Sequence, residues 1–408
     1  MLRTFSSRPG LRALAFLNAI LLLLLAVYRP AQTIFRATGD VGLYQYYARL
    51  VLEQPMSLPR EYPPAAAGLF ILPQLVAPNH YLLGFALQVV AAVWLSVVVV
   101  DQLGGRGWWL LLYIGLGAWG TLFFRFDIFV VLATILAFAA ASKQRWLLAQ
   151  ALLVLGVALK LYPVILMPLV VLWQWRDQRR LPISSALGGG VMLGLLAAGM
   201  WLAAPQEVVG MLRYHQGRPL EFESLGASVA WLLGPATVEF SYGSFNLLSP
   251  YAPAIVRISS IANVVLLGVL YLLVLRGRLL PGAAWAVALL LSIAASKVFS
   301  TQYLLWVLPL VVLADVGDPT PGNRPRYWWL WALVCLLTSL IYPVGYTIFE
   351  GLLEIGRPAP WLMGAVTVRN GLLCGAIVLV VRAAMLPTAE RYARRIVTEG
   401  TTNDAVAP

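Results

Sequence analysis

Long apolar runs follow one another along almost the whole chain, with short polar turns between them. They lie at 13–29, 64–77, 81–100, 108–123, 127–141, 146–160, 162–175, 183–204, 253–275, 282–296, 303–316, 328–346 and 361–384. A helix needs about 20 apolar residues to cross a bilayer. Because backbone polar groups must be paired inside the bilayer, repeated runs of this kind predict an all-α polytopic membrane protein.

The run at 64–77 differs from the others because it is short, begins at a Pro-Pro pair and contains Pro73. This pattern predicts an in-plane or re-entrant piece of the first external loop. Twelve crossings then remain, in a single transmembrane domain at 1–384. Its predicted external loops are the first, at 30–80, and a long one at 205–250; residues 385–408 are a predicted short cytoplasmic basic tail.

The composition excludes a soluble protein. Hydrophobic residues make up 61% of the chain and charged residues 11%, against about 25% charged residues in a soluble domain. The net charge of +12 is therefore interpreted as a topology signal, and no nucleic-acid partner is expected. The two cysteines lie inside apolar runs, so neither a disulfide nor a metal site is predicted.

When twelve crossings are assumed, most basic residues fall on the cytoplasmic side of the membrane. The predicted cytoplasmic set is Arg3, Arg8, Arg12, Arg106, Lys143, Arg145, Arg176, Arg179, Arg180, Arg276, Arg278, Arg324, Arg326, Arg382, Arg391, Arg394 and Arg395. This positive-inside pattern predicts a multi-pass plasma-membrane protein with both termini in the cytoplasm.

A second basic set falls on the external side, against the topology preference. Its members are Arg36, Arg49, Arg60, Arg125, Lys160, Arg213, Arg218, Arg257, Lys297 and Arg357. A shared anionic ligand is the simplest demand that would keep them there. The runs at 127–141, 146–160 and 162–175 are too short to cross the bilayer fully, which predicts a water-filled recess where they end.

Asp40 follows the first apolar run and precedes a predicted helix, Val41 to Glu53, that is rich in tyrosine. An aspartate in this position is an ordinary N-cap. A carboxylate beside the membrane surface is also placed to take a proton from a sugar hydroxyl. The residue alone leaves both interpretations open, and its neighbours Tyr44 and Tyr62 favour the general base, although such aromatics are also interface anchors.

Further candidate ligands follow in the external stretches. Arg125 and Asp127 lie where one run ends and the next begins, and a plain salt bridge is the simpler interpretation of that pair. Lys160 precedes Tyr162 at a helix break. A lysine there either reaches the lipid headgroups or contacts a ligand, and the break favours the ligand.

The stretch 213–224 concentrates charge within the long external loop. Its charged members are Arg213, His215, Arg218, Glu221 and Glu223. Arg and His donors suit phosphate oxygens, whereas the carboxylates suit sugar hydroxyls or hold the arginines; a solvated loop is the alternative interpretation. Lys297 and Gln302 belong to another external turn. No metal cage or other cofactor site is indicated. Since a nucleotide-sugar donor usually binds its diphosphate through a metal, this favours a sugar donor with a lipid monophosphate that fixed cations bind.

The stretches 39–47 with 62–64, 125–129, 158–163, 213–224 and 296–303 together resemble the GT-C glycosyltransferases. Within them the chain is most similar to glycosyltransferase family 87, the polyprenyl-phosphate-mannose-dependent α-mannosyltransferases. The resemblance implies a GT-C-type bundle of about twelve transmembrane helices with a catalytic first external loop.

It also implies an inverting transfer of a hexose, by default mannose, on the extracytoplasmic face. The donor would be a polyprenyl-phosphate sugar and the acceptor a lipid- or glycan-linked molecule. Asp40 would be the base, Asp127 would position substrate, and the phosphate ligands would be Lys160, Arg213, His215, Arg218 and Lys297. The expected substrate-binding set also includes Tyr44, Tyr62, Arg125, Tyr162, Glu221, Glu223 and Gln302.

Two other functions fit a chain of this class. A transporter or flippase of a lipid-linked sugar would need a path through the membrane and usually shows inverted repeats. A non-catalytic scaffold would use the external cations as headgroup anchors. The clustering of charge on one side, without internal symmetry, favours the enzyme.

Overall fold

The computed structural model describes residues 40–54, 61–314 and 325–385. The predicted first span at 13–29, the tail from 386 onwards and residues such as Arg36 and Arg60 lie outside the described residues. The helices are α1 (Val41–Glu53), α2 (Ala67–Val76), α3 (Tyr81–Gln102), α4 (Gly107–Gly117), α5 (Asp127–Ser142), α6 (Trp146–Leu159), α7 (Met167–Gln178), α8 (Ile183–Ala203), α9 (Pro205–Gly217), α10 (Leu225–Leu233), α11 (Ala252–Leu275), α12 (Pro281–Ala294), α13 (Tyr303–Ala314), α14 (Pro325–Ser339), α15 (Tyr346–Glu354) and α16 (Pro360–Ala384).

The helical content agrees with an all-α membrane protein. Within the described residues, five helical segments are long and apolar enough to cross a membrane, namely Pro78–Gln102, Ile183–Ala203, Ala252–Leu275, Trp328–Glu354 and Pro360–Ala384. The segment Trp328–Glu354 joins α14 to α15 through Leu340–Gly345. Six further apolar helices of this part of the chain are shorter, and the count of twelve crossings stays a prediction. The long loop also contains a hairpin that was not predicted, in which β1 (Thr237–Ser241) pairs antiparallel with β2 (Ser244–Leu248).

The proline-rich run forms a turn at Pro64–Ala66 followed by α2. Ten helical residues rise about 15 Å, half of the hydrocarbon thickness. The helix packs against α1 and α3, and the hydroxyl of Tyr81 donates to the carbonyl oxygen of Phe70 at 3.0 Å. This segment therefore braces the start of α3 and does not reach across a bilayer.

The antiparallel pair α5 and α6 lies at the centre of the bundle and contacts α3, α8 and α13. Its turn carries Lys143 and Arg145, while Asp127 and Lys160 lie at its open end. The last turn of α7 and the turn that follows α11 meet, because Nη1 of Arg176 donates to the carbonyl oxygen of Leu279 at 2.6 Å. Since the helices alternate in direction, these basic turns lie at the end opposite Asp127.

The close contact between α6 and the next turn depends on Gly156. A Cβ at this residue would lie 2.9 Å from Cγ of Pro163, nearer than side-chain carbons approach. The absence of a side chain lets Pro163 pack on the last turn of α6. As a result the chain leaves the helix in an extended conformation at Lys160 and directs that residue towards the neighbouring helix ends.

Candidate functional site

A cavity of about 360 Å³ lies at the end of the bundle where α5 begins and α6 ends. Its wall combines α1, the ends of α5, α6 and α9, the hairpin tip and the start of α13. The predicted site residues that line it are Asp40, Tyr44, Tyr62, Arg125, Asp127, Lys160, Tyr162, His215, Arg218, Glu221 and Gln302. Segments far apart in the sequence therefore meet in one polar recess.

Asp40 stands at the N-cap position of α1, but its side chain makes no capping hydrogen bond. Both of its side-chain contacts are on Oδ2, where Arg125 forms an ion pair and the Tyr62 hydroxyl donates a hydrogen bond at 2.7 Å. Oδ1 has no partner among the residues that the structure describes. The carboxylate is thus held by one oxygen while the other remains available to a molecule in the cavity.

Asp127 repeats this arrangement in a more buried place, with 1% of the residue exposed. Its Oδ1 accepts from Nζ of Lys160 at 2.7 Å and from Nε1 of Trp306 at 2.6 Å. Its Oδ2 is buried and, within the described part of the chain, has no hydrogen-bond partner. Because buried polar atoms are nearly always satisfied, this oxygen is able to accept a hydrogen bond from a donor that enters the cavity.

Aromatic rings enclose the Lys160–Asp127 pair. Trp306 lies between Tyr162 and Tyr303, with ring centroids 4.2 Å and 3.9 Å away. The ammonium of Lys160 lies 5.3 Å from the Trp306 centroid and 5.2 Å from that of Phe126. The rings stabilise the cation through its contact with their faces and fix its position beside the cavity.

Arg218 follows the end of α9 and lies against the hairpin. Its Nη2 donates to Oγ of Ser244 at 3.0 Å and lies 3.8 Å from Oε1 of Glu221. The Nε of Arg218 and the Oε2 of Glu221 are both buried without a partner among the described residues. Burial raises the pKa of Glu221, an effect that Arg218 opposes. Arg218 therefore keeps an unpaired donor, Nε, within the described part of the chain.

Three of the predicted site residues do not line the cavity. Arg213 is exposed on α9, and Lys297 donates from Nζ to the carbonyl oxygen of Gln216 at 2.8 Å. Lys297 thus holds the end of α9 beside the cavity. Glu223 is buried and lies 3.5 Å, Oε2 to Nη1, from the guanidinium of Arg369.

Arg369 belongs to α16 and is fully buried. Its Nη2 donates to the carbonyl oxygen of Glu223 at 2.8 Å, and its guanidinium lies 4.1 Å from the ring centroid of Phe299. Asn370 adds hydrogen bonds to the same carbonyl and to Ser224. These contacts fix the loop that carries Arg218 and Glu221. Arg369 was outside the predicted site, since a single arginine in an apolar run carries no sign of its partner.

Tyr44 lines the cavity but is completely buried. Its ring stacks on Phe70 with centroids 4.3 Å apart and meets Tyr62 and Phe126 edge to face. This packing anchors α1, and with it Asp40, to α2 and to the start of α5. The position favours a packing role for Tyr44 over direct contact with a substrate.

Several lining residues were outside the predicted set. They are Leu43, Glu61, Pro63, Leu161, Tyr214, Tyr242, Gly243, Ser244, Ser300, Tyr303 and Trp306. Trp306 lies in an apolar run without any local signal. The hairpin had one, because alternating polar and apolar residues flank Gly243 in the sequence. In the structure Tyr242 and Gly243 have positive φ, of 54° and 69°, as the two-residue turns of hairpins require.

No family model, curated protein or solved structure matches this chain. The chemistry of the cavity and the resemblance of the motifs quoted above therefore carry the functional proposal.

Proposed function

We propose that this protein is a membrane glycosyltransferase. It moves a hexose, by default mannose, from a polyprenyl-phosphate donor to a lipid- or glycan-linked acceptor on the external face of the plasma membrane. One observation carries the proposal: a single cavity contains two kinds of binding group. Asp40 and Asp127 are each bonded to the protein through one carboxylate oxygen only, and Arg218 has an Nε without a partner among the described residues. The first feature suits hydroxyl groups, and the second suits a phosphate.

In this proposal Asp40 is the general base. The acceptor hydroxyl attacks the anomeric carbon of the donor sugar while its proton passes to Oδ1 of Asp40. The bond between that carbon and the phosphate oxygen breaks, and the polyprenyl phosphate leaves with the electron pair. Attack from the face opposite the leaving group inverts the anomeric configuration, so a β-linked donor gives an α-linked product.

The remaining residues position the reactants. Arg125 and Tyr62 hold Oδ2 of Asp40, which leaves Oδ1 directed at the acceptor. Oδ2 of Asp127 binds a hydroxyl of the donor sugar, and Arg218 stabilises the negative charge on the departing phosphate. Lys160 is in a hydrogen-bonded ion pair with Asp127, so its main effect is to orient that carboxylate.

A transfer assay tests the proposal directly. Purified protein in lipid nanodiscs is given polyprenyl-phosphate mannose with labelled sugar, together with a series of mannosides and envelope glycolipids as acceptors. We expect an α-mannosylated product and free polyprenyl phosphate in equal amounts, identified by mass spectrometry. Donor that stays intact with every acceptor, or label that crosses the bilayer without a new glycosidic bond, would contradict the proposal.

Arg218→Gln should weaken donor binding by about 10-fold to 100-fold, because a hydrogen bond to a charged group contributes roughly 1.5–3 kcal/mol. The acceptor KM should change little. Arg213→Gln is the matched control, since Arg213 belongs to the same stretch but is exposed and outside the cavity. Initial rates at varied donor and acceptor concentrations measure both effects. A larger change for Arg213 than for Arg218 would move the phosphate site out of the cavity.

A further inference from the structure

Glu61 is a further carboxylate in the cavity, which the proposed reaction leaves without a role. It lines the cavity together with Asp40 and is half-buried. No ion pair involves it within the described part of the chain. Its main chain contacts the ring of His215, which is exposed, whereas Asp127 is buried. Glu61 therefore lies towards the more open part of the cavity.

The charges of the cavity wall are close to balanced. The lining cations are Arg125, Lys160 and Arg218, and the lining carboxylates are Asp40, Glu61, Asp127 and Glu221. Two of the cations are in close ion pairs with the aspartates. The ring of His215 is accessible yet loses part of its surrounding water in the cavity wall, which lowers its pKa together with the nearby Arg218 and Lys160, so it adds little positive charge at neutral pH. Arg218 is the lining cation that, among the described residues, keeps a buried nitrogen, Nε, without a hydrogen-bond partner.

This balance restricts what else enters the cavity. Once a donor phosphate occupies Arg218, a second anionic group would meet Glu61, while the other lining cations, Arg125 and Lys160, already pair with Asp40 and Asp127. Like charges placed together are strongly unfavourable. A neutral sugar, in contrast, offers hydroxyl donors, and an ionised carboxylate accepts hydrogen bonds from them.

We propose that Glu61 binds hydroxyl groups of the acceptor, and that the part of the acceptor that enters the cavity is an uncharged sugar. The role of this sugar as an acceptor rests on the proposed function, whereas the binding of a sugar by Glu61 does not. Glu61 is a binding residue beside the base Asp40, and it takes no proton in the reaction.

Two soluble probes separate the subsites. Octyl phosphate represents the donor headgroup and octyl α-mannoside a neutral acceptor sugar, and each is titrated against the full chain in nanodiscs by intrinsic tryptophan fluorescence. Glu61→Gln should weaken the mannoside by about 10-fold and leave the phosphate unchanged or tighter. With octyl phosphate kept at saturation, the 6-phosphate of octyl mannoside should bind at least about 10-fold more weakly than the neutral glycoside.

Glu53→Gln is the matched control, because Glu53 is an exposed glutamate at the end of α1, outside the cavity. The inference is overturned if the wild-type chain does not bind the mannoside at millimolar concentration, if Glu61→Gln binds it normally, or if the phosphorylated glycoside binds equally well. Mannoside binding that depends on Glu61, in a protein that transfers no sugar, would leave this inference standing and remove the proposed function.

Discussion

Replacement of Asp40 by Asn is expected to lower the turnover number of sugar transfer by about 1000-fold, within the range of 100-fold to 10,000-fold that general bases contribute. The amide keeps the shape of the side chain but does not accept the proton of the attacking hydroxyl. Binding of octyl phosphate should stay within a factor of about three, less than one lost hydrogen bond, because the proposed phosphate ligand, Arg218, belongs to another element. Single-turnover rates with labelled donor measure the loss.

Two further variants sharpen the assignment of Asp40. Asp177→Asn, at an exposed residue of α7, should transfer sugar at the wild-type rate and controls for the chemical change. Tyr62→Phe removes one of the two contacts on Oδ2 and should lower turnover only about 10-fold, as expected for one hydrogen bond to a charged group. Transfer by Asp40→Asn at the wild-type rate would remove Asp40 as the base.

The sequence was informative about this site because its residues stand at helix ends. Apolar runs locate those ends to within a few residues, and the alternating direction of the helices shows which ends share a side. Asp40, Asp127 and Lys160 all terminate or precede such runs. Their convergence could thus be expected from the order of the helices, without any distance between them.

The sequence carries no such signal where a residue acts from inside an apolar run. Trp306 binds Asp127 from within α13, and Arg369 holds Glu223 from within α16. Both contacts join residues more than 140 positions apart, and neither run carries a local sign of them. Side-chain direction also separates residues that the sequence groups together. Arg213 and Arg218 are close in sequence, yet of these two only Arg218 lines the cavity.

Arg369→Met is expected to destabilise the protein by about 3–5 kcal/mol at pH 9, because it leaves the ionised Glu223 buried without its partner. The loss should be smaller at pH 6 by roughly 1 kcal/mol, because one pH unit above the pKa corresponds to about 1.4 kcal/mol. Burial raises the pKa of Glu223 to about 8 although Arg369 lowers it, so the folded chain holds a proton there at pH 6. Unfolding in detergent, followed by tryptophan fluorescence at both pH values, measures the difference.

The sign of this pH dependence follows from proton linkage. An unfolded chain has an ordinary glutamate, which ionises near pH 4.5. Between about 4.5 and 8 the folded chain therefore binds more protons at Glu223, and its contribution to stability falls as the pH rises through that window. Glu223→Gln, which carries no titrating proton, should remove this part of the dependence of stability on pH.

Arg357→Met, at an exposed arginine that precedes α16, is the control for Arg369→Met. An equal loss for Arg369→Met at pH 6 and pH 9 would mean that the arginine stabilises the loop through its backbone hydrogen bond and packing, with no contribution from the charge of Glu223.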